Sequence, residues 1–290
     1  MTTRPQDGLR FTKMHGLGND FVVFDAIRQD VRLTPERVRW IANRRLGVGC
    51  DQVLVVEPST EAGVDFGYRI FNADGGEVQQ CGNGARCFAR FVQDEGLSAK
   101  DVLTVRTAGG LITLRRLASG DVQVNMGSIR LDPKTLPFVA TGTALVHRLD
   151  VAGRAVEITA LSIGNPHAVQ IVEDVDTAAV QVDGPLIERH TRFPEGVNAG
   201  FMQIVDRRTI RLRVYERGAG ETEACGSGAC AAVAAGRLRG LLDDEVIVHL
   251  RGGLLTIRFD GVGPVWMEGP ACRVYEGRLW AWGGDHEAIE

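Results

Sequence analysis

Two cysteines sit in matching surroundings far apart in the chain. One opens Cys81-Gly82-Asn83-Gly84-Ala85 and the other Cys225-Gly226-Ser227-Gly228-Ala229. Each follows a β-like run, Arg69-Ile70-Phe71 or Arg213-Val214-Tyr215, and then a Gly-Glu pair, Gly76-Glu77 or Gly220-Glu221. Every matched position is offset by 144 residues. The small residues after each cysteine read as the first turn of a helix whose amides stay open. A helix N-terminus carries free N–H donors and a partial positive charge. Two expectations follow. The thiol should ionise below its usual value of about 8.5, and the amides should hold a carboxylate. A thiolate beside a held carboxylate can remove a proton from the neighbouring carbon, with the developing charge moving onto oxygens that already face N–H groups. One such cysteine suggests a nucleophile. Two suggest inversion of a stereocentre, which needs a base on one face and an acid on the other. No Ser-His-Asp base is required for that, and Lys13, Lys100 and Lys134 fall in no recognisable pyridoxal-phosphate motif.

The repeat extends beyond the cysteines. Gly109-Gly110-Leu111 matches Gly252-Gly253-Leu254, and Gly18-Asn19 matches Gly164-Asn165. A period this long exceeds the roughly 20–50 residues of a solenoid. It reads as two copies of one domain, over residues 9–130 and 143–282, joined by a connection over 128–142 that contains Pro133 and Pro137. Two such copies are expected to pack about a pseudo-two-fold axis, so that Cys81 faces Cys225. The 290 residues, 44% apolar and 24% charged, suit a soluble two-domain protein. A net charge of −4 without a basic run argues against a nucleic-acid partner. No apolar run reaches the roughly 20 residues of a membrane helix, and the polar stretch over residues 1–8 reads as a disordered lead.

The elements that must hold the cysteine loops can be read from periodicity. Strands are expected over Leu9–Met14 and Phe21–Ala26, with His15 to Asp20 between them. A helix follows, capped by Thr34 and Pro35, with Val38, Ile41, Ala42 and Leu46 inward and Gly47 and Gly49 as its stop. A second helix spans about 83–95 and its counterpart 227–241, with a short helix near Pro185–His190. Strands follow one another elsewhere, so the fold class is α+β: two pseudo-symmetric domains, each a mostly antiparallel sheet or barrel around a central helix. The spacings Cys81-x5-Cys87 and Cys225-x4-Cys230 fit no zinc or CxxC pattern, so no metal is expected. Cys50, Cys87, Cys230 and Cys272 read as small buried hydrophobes. The cytoplasm, which keeps thiols reduced, is the expected compartment.

At these residues the sequence resembles diaminopimelate epimerase, the cofactor-independent amino-acid epimerase family of lysine and peptidoglycan-precursor synthesis. The resemblance runs from about Phe11 to Tyr275. It rests on Gly16-Leu17-Gly18-Asn19-Asp20-Phe21, Phe71-Asn72-Ala73-Asp74-Gly75, Cys81-Gly82-Asn83-Gly84-Ala85-Arg86, Gly164-Asn165-Pro166-His167 and Glu216-Arg217-Gly218-Ala219-Gly220-Glu221-Thr222. It implies that Cys81 and Cys225 are the two acid–base thiols converting LL-2,6-diaminopimelate to the meso isomer, without a cofactor. It implies that Asn19, Gln52, Asn72, Asn165, Asn198, Glu216 and Arg217 bind substrate, with the amides of Gly82, Asn83, Gly226 and Ser227. His167 and Glu216 would adjust the thiols, and Tyr275 would serve a homodimer.

Three departures stand out: Cys50 where the family more often has alanine, Gly76 for serine and Ile163 for methionine. Proline racemase and hydroxyproline epimerase also use two cysteines, but an Asp-Arg-Ser-Pro run precedes the second; here Glu223-Ala224 does. Phenazine-type isomerases lack the thiol pair. A dithiol redox sensor is the alternative from another class.

Overall fold

Apolar alternation becomes strands, and the two small-residue runs become helices. The computed structural model describes residues 8–79, 81–140, 142 and 144–280. Residues 1–7 of the expected lead over 1–8, residue 141 of the expected connection, and residues 143, 281 and 282 at the ends of the expected second repeat lie outside the described residues. In chain order come β1 (Leu9–Gly16), β2 (Asn19–Asp25), α1 (Pro35–Ala42), β3 (Gln52–Pro58), β4 (Phe66–Asn72), α2 (Gly82–Asp94), β5 (Val102–Thr107), β6 (Gly110–Arg116) and β7 (Val122–Ser128). There follow β8 (Val146–Val151), β9 (Arg154–Ser162), β10 (Pro166–Ile171), α3 (Val180–Glu188), β11 (Asn198–Asp206), β12 (Thr209–Glu216) and β13 (Gly220–Glu221). The last are α4 (Gly226–Leu238), β14 (Glu245–Leu250), β15 (Gly253–Arg258), β16 (Pro264–Gly269) and β17 (Cys272–Leu279).

The chain forms two compact units, one running to Val124 and resuming at Pro270, the other Asn125–Gly269. Their strand orders correspond. In the first, β17, β1, β2, β3, β4, β5, β6 and β7 are successive neighbours; the β2–β3 and β4–β5 pairs are parallel and the rest antiparallel. In the second, β8, β9, β10, β11, β12, β14, β15 and β16 repeat that series, with β10–β11 and β12–β14 parallel. The first unit therefore takes its outermost strand from the end of the chain. This is the α+β architecture expected from the sequence.

Each unit wraps a helix. In α2 nine residues are buried, among them Phe88, Phe91 and Val92. Each large apolar side chain so buried stabilises the unit by about 1.5–3 kcal/mol. Ala-rich α4 buries ten residues, a composition that lets strands approach from several sides. Gly84 and Gly228 hold matching positions in these helices for the same reason. A Cβ on Gly84 would lie 2.5 Å from the Tyr68 hydroxyl, and one on Gly228 would lie 2.9 Å from Val214 Cγ2.

Several local expectations need correction. Helix α1 is capped as foreseen, Thr34 Oγ1 accepting from Arg37 N–H at 3.3 Å. It ends at Ala42, however, where Asn43 turns the chain, accepting from the N–H groups of Arg45 and Leu46. Leu46 is 74% exposed rather than inward. Helix α3 starts at Val180, not near Pro185, because Val180 and Ile187 both enter the second core and carry the helix through the proline. The connection over 128–142 is not a bare linker: Leu136 and Phe138 are buried in that same core. Cys272 is exposed, since it opens β17, whose outer residues Val274 and Tyr275 also face outward. Among the described residues no helix is long and apolar enough to cross a membrane.

Candidate functional site

In the first unit, register gathers the predicted polar residues at one end of three adjacent strands. Phe21 pairs with Gln52, and Gln52 with Asn72, placing Asn19, Gln52 and Asn72 near the starts of β2 and β3 and the end of β4. Asn19 follows a tight turn at Leu17-Gly18, both with positive φ (57° and 88°). That conformation matches the type of hairpin turn that suits the twist of its strands. Gln52 Nε2 donates to Asn72 Oδ1 at 2.8 Å, and Gln52 Oε1 is buried without a partner. Such an acceptor costs stability unless something donates to it.

Cys81 is the N-cap of α2, in extended conformation, but its side chain does not cap the helix. Its thiol, half-buried, donates instead to Asn19 Oδ1 at 3.7 Å. Asn83 Nδ2 donates to the same oxygen at 3.3 Å. The Cys81 carbonyl accepts from Ala85 N–H and from the Tyr68 hydroxyl, which anchors the loop to β4. Gly82 and Asn83 follow it as the first residues of α2.

The second unit repeats the frame with different chemistry. His167 pairs with Asn198, as Phe21 does with Gln52, and Glu216 ends β12 as Asn72 ends β4. Cys225 is the extended N-cap of α4 and is buried; its Sγ accepts from Gly228 N–H at 3.3 Å. Ser227 Oγ lies 3.6 Å from that sulfur. Asn165 Nδ2 donates to Ser227 Oγ at 3.3 Å, which leaves Asn165 Oδ1 facing His167 Nε2 at 3.1 Å. An amide oxygen only accepts, so the His167 proton sits on Nε2 and is shared with Ser227 Oγ, also at 3.1 Å. His167 is thus one hydroxyl away from Cys225. Burial, and then the charge of Arg217, push its imidazole down from the ordinary 6.5 to about 3, so it is neutral near pH 7.

One expectation fails here. Cys225 does not ionise more easily than a free thiol; it is pushed well above its ordinary value. Desolvation is the main cause and the Glu216 carboxylate, to which the thiol donates, the second. The Ser227 and Gly228 donors act in the foreseen direction but are outweighed. A helix N-terminus offers a partial charge, whereas burial in a low dielectric opposes the whole charge of a thiolate. Glu216 is itself held by Thr222, whose hydroxyl donates to Oε1. Cys50, beside Asp51-Gln52, is a buried thiol pushed up to about 12 by burial.

The remaining predicted residues fall in two groups. Asn198 has both amide ends engaged with backbone: Nδ2 donates to Pro166 O and Oδ1 accepts from Arg217 N–H, each at 3.0 Å. It therefore joins the Asn165–His167 loop to the Glu216–Arg217 turn. Arg217 is exposed, with Nη1 donating to Glu195 O at 2.9 Å. Tyr275 lies on β17, 46% exposed, its ring edge-on to Phe11 at 6.1 Å. Sequence reasoning assigned no role to Asp51, Tyr68 or Thr222. Thr222 lay inside a quoted motif and Asp51 beside Gln52, but nothing local shows which way a side chain turns.

Each loop thus offers a thiol, helix amides and side-chain amides, a set suited to moving a proton next to a carboxylate. The family model for diaminopimelate epimerase matches residues 11–131 and 159–274. The chain is 60% identical over 274 residues to a diaminopimelate epimerase of Laribacter hongkongensis, covering 93% of this chain and 99% of that one. It is 61% identical over 272 residues to one of Aromatoleum aromaticum, covering 93% and 98%. A solved probable proline racemase from Agrobacterium radiobacter K84 shares the fold, with a TM-score of 0.69 at 16% identity over 96% of this chain and 94% of that one.

Proposed function

The chain belongs to the diaminopimelate epimerase family, and on that premise we propose that it interconverts LL- and meso-2,6-diaminopimelate by proton transfer at one α-carbon, without a cofactor. The observation that carries the reading is the pair of cysteines, each the extended N-cap of a buried helix in its own unit. In the proposed step, one thiolate takes the α-proton. The C–H electron pair moves toward the substrate carboxylate, whose oxygens face first-turn amides such as those of Gly82, Asn83, Gly226 and Ser227. The other cysteine returns a proton to the opposite face of the carbon, so one thiol is consumed and one regenerated. Cys225, pushed up by burial and Glu216, is the donor in this reading. Cys81, half-buried, is the base in this reading.

The side chains divide the remaining work. The unpartnered Gln52 Oε1 is an acceptor for a substrate ammonium, beside Asn72. Arg217 suits a distal carboxylate through its planar fork. His167, neutral, orients Ser227 and Asn165 rather than exchanging protons itself. A reducing compartment, the cytoplasm, keeps both thiols competent. Exposed Tyr275 and Val274 on β17 are the surface on which a homodimer would form.

The test is exchange. The reduced protein is incubated with LL-diaminopimelate in D2O, without added cofactor, and the α-carbon is followed by NMR. Deuterium should enter as the meso isomer accumulates. No exchange from folded, reduced protein would overturn the assignment; exchange with proline or 4-hydroxyproline alone would move it to another substrate.

A further inference from the structure

A cluster of charges, Lys13, Asp20, Arg44 and Asp51, holds the turn next to Asn19, whose amide oxygen faces Cys81. Asp20, only 16% exposed, accepts from Arg44 Nη1 and Nη2 at 3.0 and 2.8 Å and pairs with Lys13 Nζ at 2.6 Å. Burial would raise its carboxyl, but the bonds from Arg44, Lys13 and the Asp51 N–H outweigh burial and hold it well below the usual range. Lys13, almost fully buried, also donates to Gly49 O. Asp20 Oδ1 in turn accepts from Asp51 N–H at 2.8 Å, so the turn carrying Asp51 is pinned from below. Arg44 Nη2 reaches Asp51 Oδ1 at 2.8 Å and fixes that carboxylate's rotation.

The other oxygen of Asp51 accepts twice: from Asp20 N–H at 3.1 Å and from Asn19 Nδ2 at 3.0 Å. A carboxylate is acceptor-only, so Asn19 must turn its NH2 toward Asp51. Its oxygen must then point the other way, toward Cys81 Sγ and Asn83 Nδ2. A carbonyl oxygen can accept from S–H but offers nothing to a thiolate. Were the amide reversed, an N–H would face the sulfur and favour the thiolate instead.

We propose that Asp51 is a positioning residue: by fixing the orientation of the Asn19 amide, it makes Asn19 favour the thiol form of Cys81 in the ligand-free protein. The ion pairs among Asp20, Lys13 and Arg44 hold Asp51 in place for that task. The proposal rests on reading Cys81 as a proton-transferring thiol, but its test needs no substrate, so the two can fail separately. Tyr68 on β4, whose hydroxyl donates to the Cys81 carbonyl, and Cys87 on α2 are titratable groups beside Cys81, and the substitutions below leave both in place.

The experiment is alkylation of Cys81 by iodoacetamide, followed at that residue by mass spectrometry between about pH 6 and pH 10. In Asp51→Ala the midpoint should fall by about one pH unit, making reaction near neutrality about tenfold faster. Asp51→Asn, which keeps an acceptor oxygen and loses the charge, should stay near the wild type. Asn19→Ala alone should lower the midpoint, and adding Asp51→Ala to it should change nothing further. Equal shifts in Asp51→Ala and Asp51→Asn that persist without Asn19 would show the carboxylate acting directly through its field, and would overturn the proposal. An unchanged midpoint in Asn19→Ala would overturn it too, whatever the Asp51 variants do to folding.

Discussion

Phe21 and His167 hold the same place in the two units, each paired with the polar residue that opens the next strand. One is apolar and one is an imidazole. Beside them, Asn72 of the first unit answers to Glu216 of the second, Asn83 to Ser227 and Ala73 to Arg217. The backbone frame repeats, yet the thiols it presents differ. Cys81 is half-buried and donates to an amide oxygen. Cys225 is buried, accepts a hydrogen bond from an N–H of its own helix and sits against a carboxylate. A shared loop sequence specifies where a thiol is put. The neighbours contributed by other strands decide how readily it ionises.

The largest expected effect tests whether both loops serve the same reaction. Cys81→Ala and Cys225→Ala should each lower epimerase turnover about a thousandfold, within the range that a positioned proton donor or acceptor contributes. Circular dichroism and melting should stay near wild type. Near-normal turnover in either variant would remove that thiol from the proton transfer. A smaller effect isolates the difference between the loops. Glu216→Gln removes the carboxylate that helps push Cys225 up, so the alkylation midpoint of Cys225 should move down, with reaction at a fixed pH about tenfold faster. An unmoved midpoint would leave burial as the whole cause.

The smallest effect concerns stability. His167 is depressed to about 3 in the folded protein, against an ordinary 6.5. The unfolded chain therefore binds a proton that the native one refuses. The stability this contributes is present above about pH 6.5 and is lost as pH falls toward 3. His167→Gln should flatten the fall of the melting temperature over that window, although it also removes bonds to Asn165 and Ser227. Phe21, its counterpart, has no such titration. An unchanged slope would mean that His167 does not remain neutral when buried.

Much of the site was legible because it is written locally. Cap residues, small-residue helix starts and apolar alternation each act over a few neighbours. Thr34 capped its helix, Cys81 and Cys225 stood at helix starts, and the hairpins around Gly109-Gly110 and Gly252-Gly253 formed where the glycines put them. Leu46 was misread because it continued a helical spacing after Asn43 had already turned the chain. Cys272 was misread because its exposure depends on β17 pairing with β1, at the opposite end of the chain.

By itself, then, the sequence determined the fold class, the family and the placing of two cysteines at helix starts. All of these rest on residue type and short-range spacing. Tertiary structure alone decided the protonation chemistry. It placed Glu216 against Cys225, set the Arg217 charge near His167 and turned the Asn19 amide by way of Asp51. The physical reason is that ionisation answers to desolvation and to charges close in space, and those distances are set by strand register rather than by neighbours along the chain.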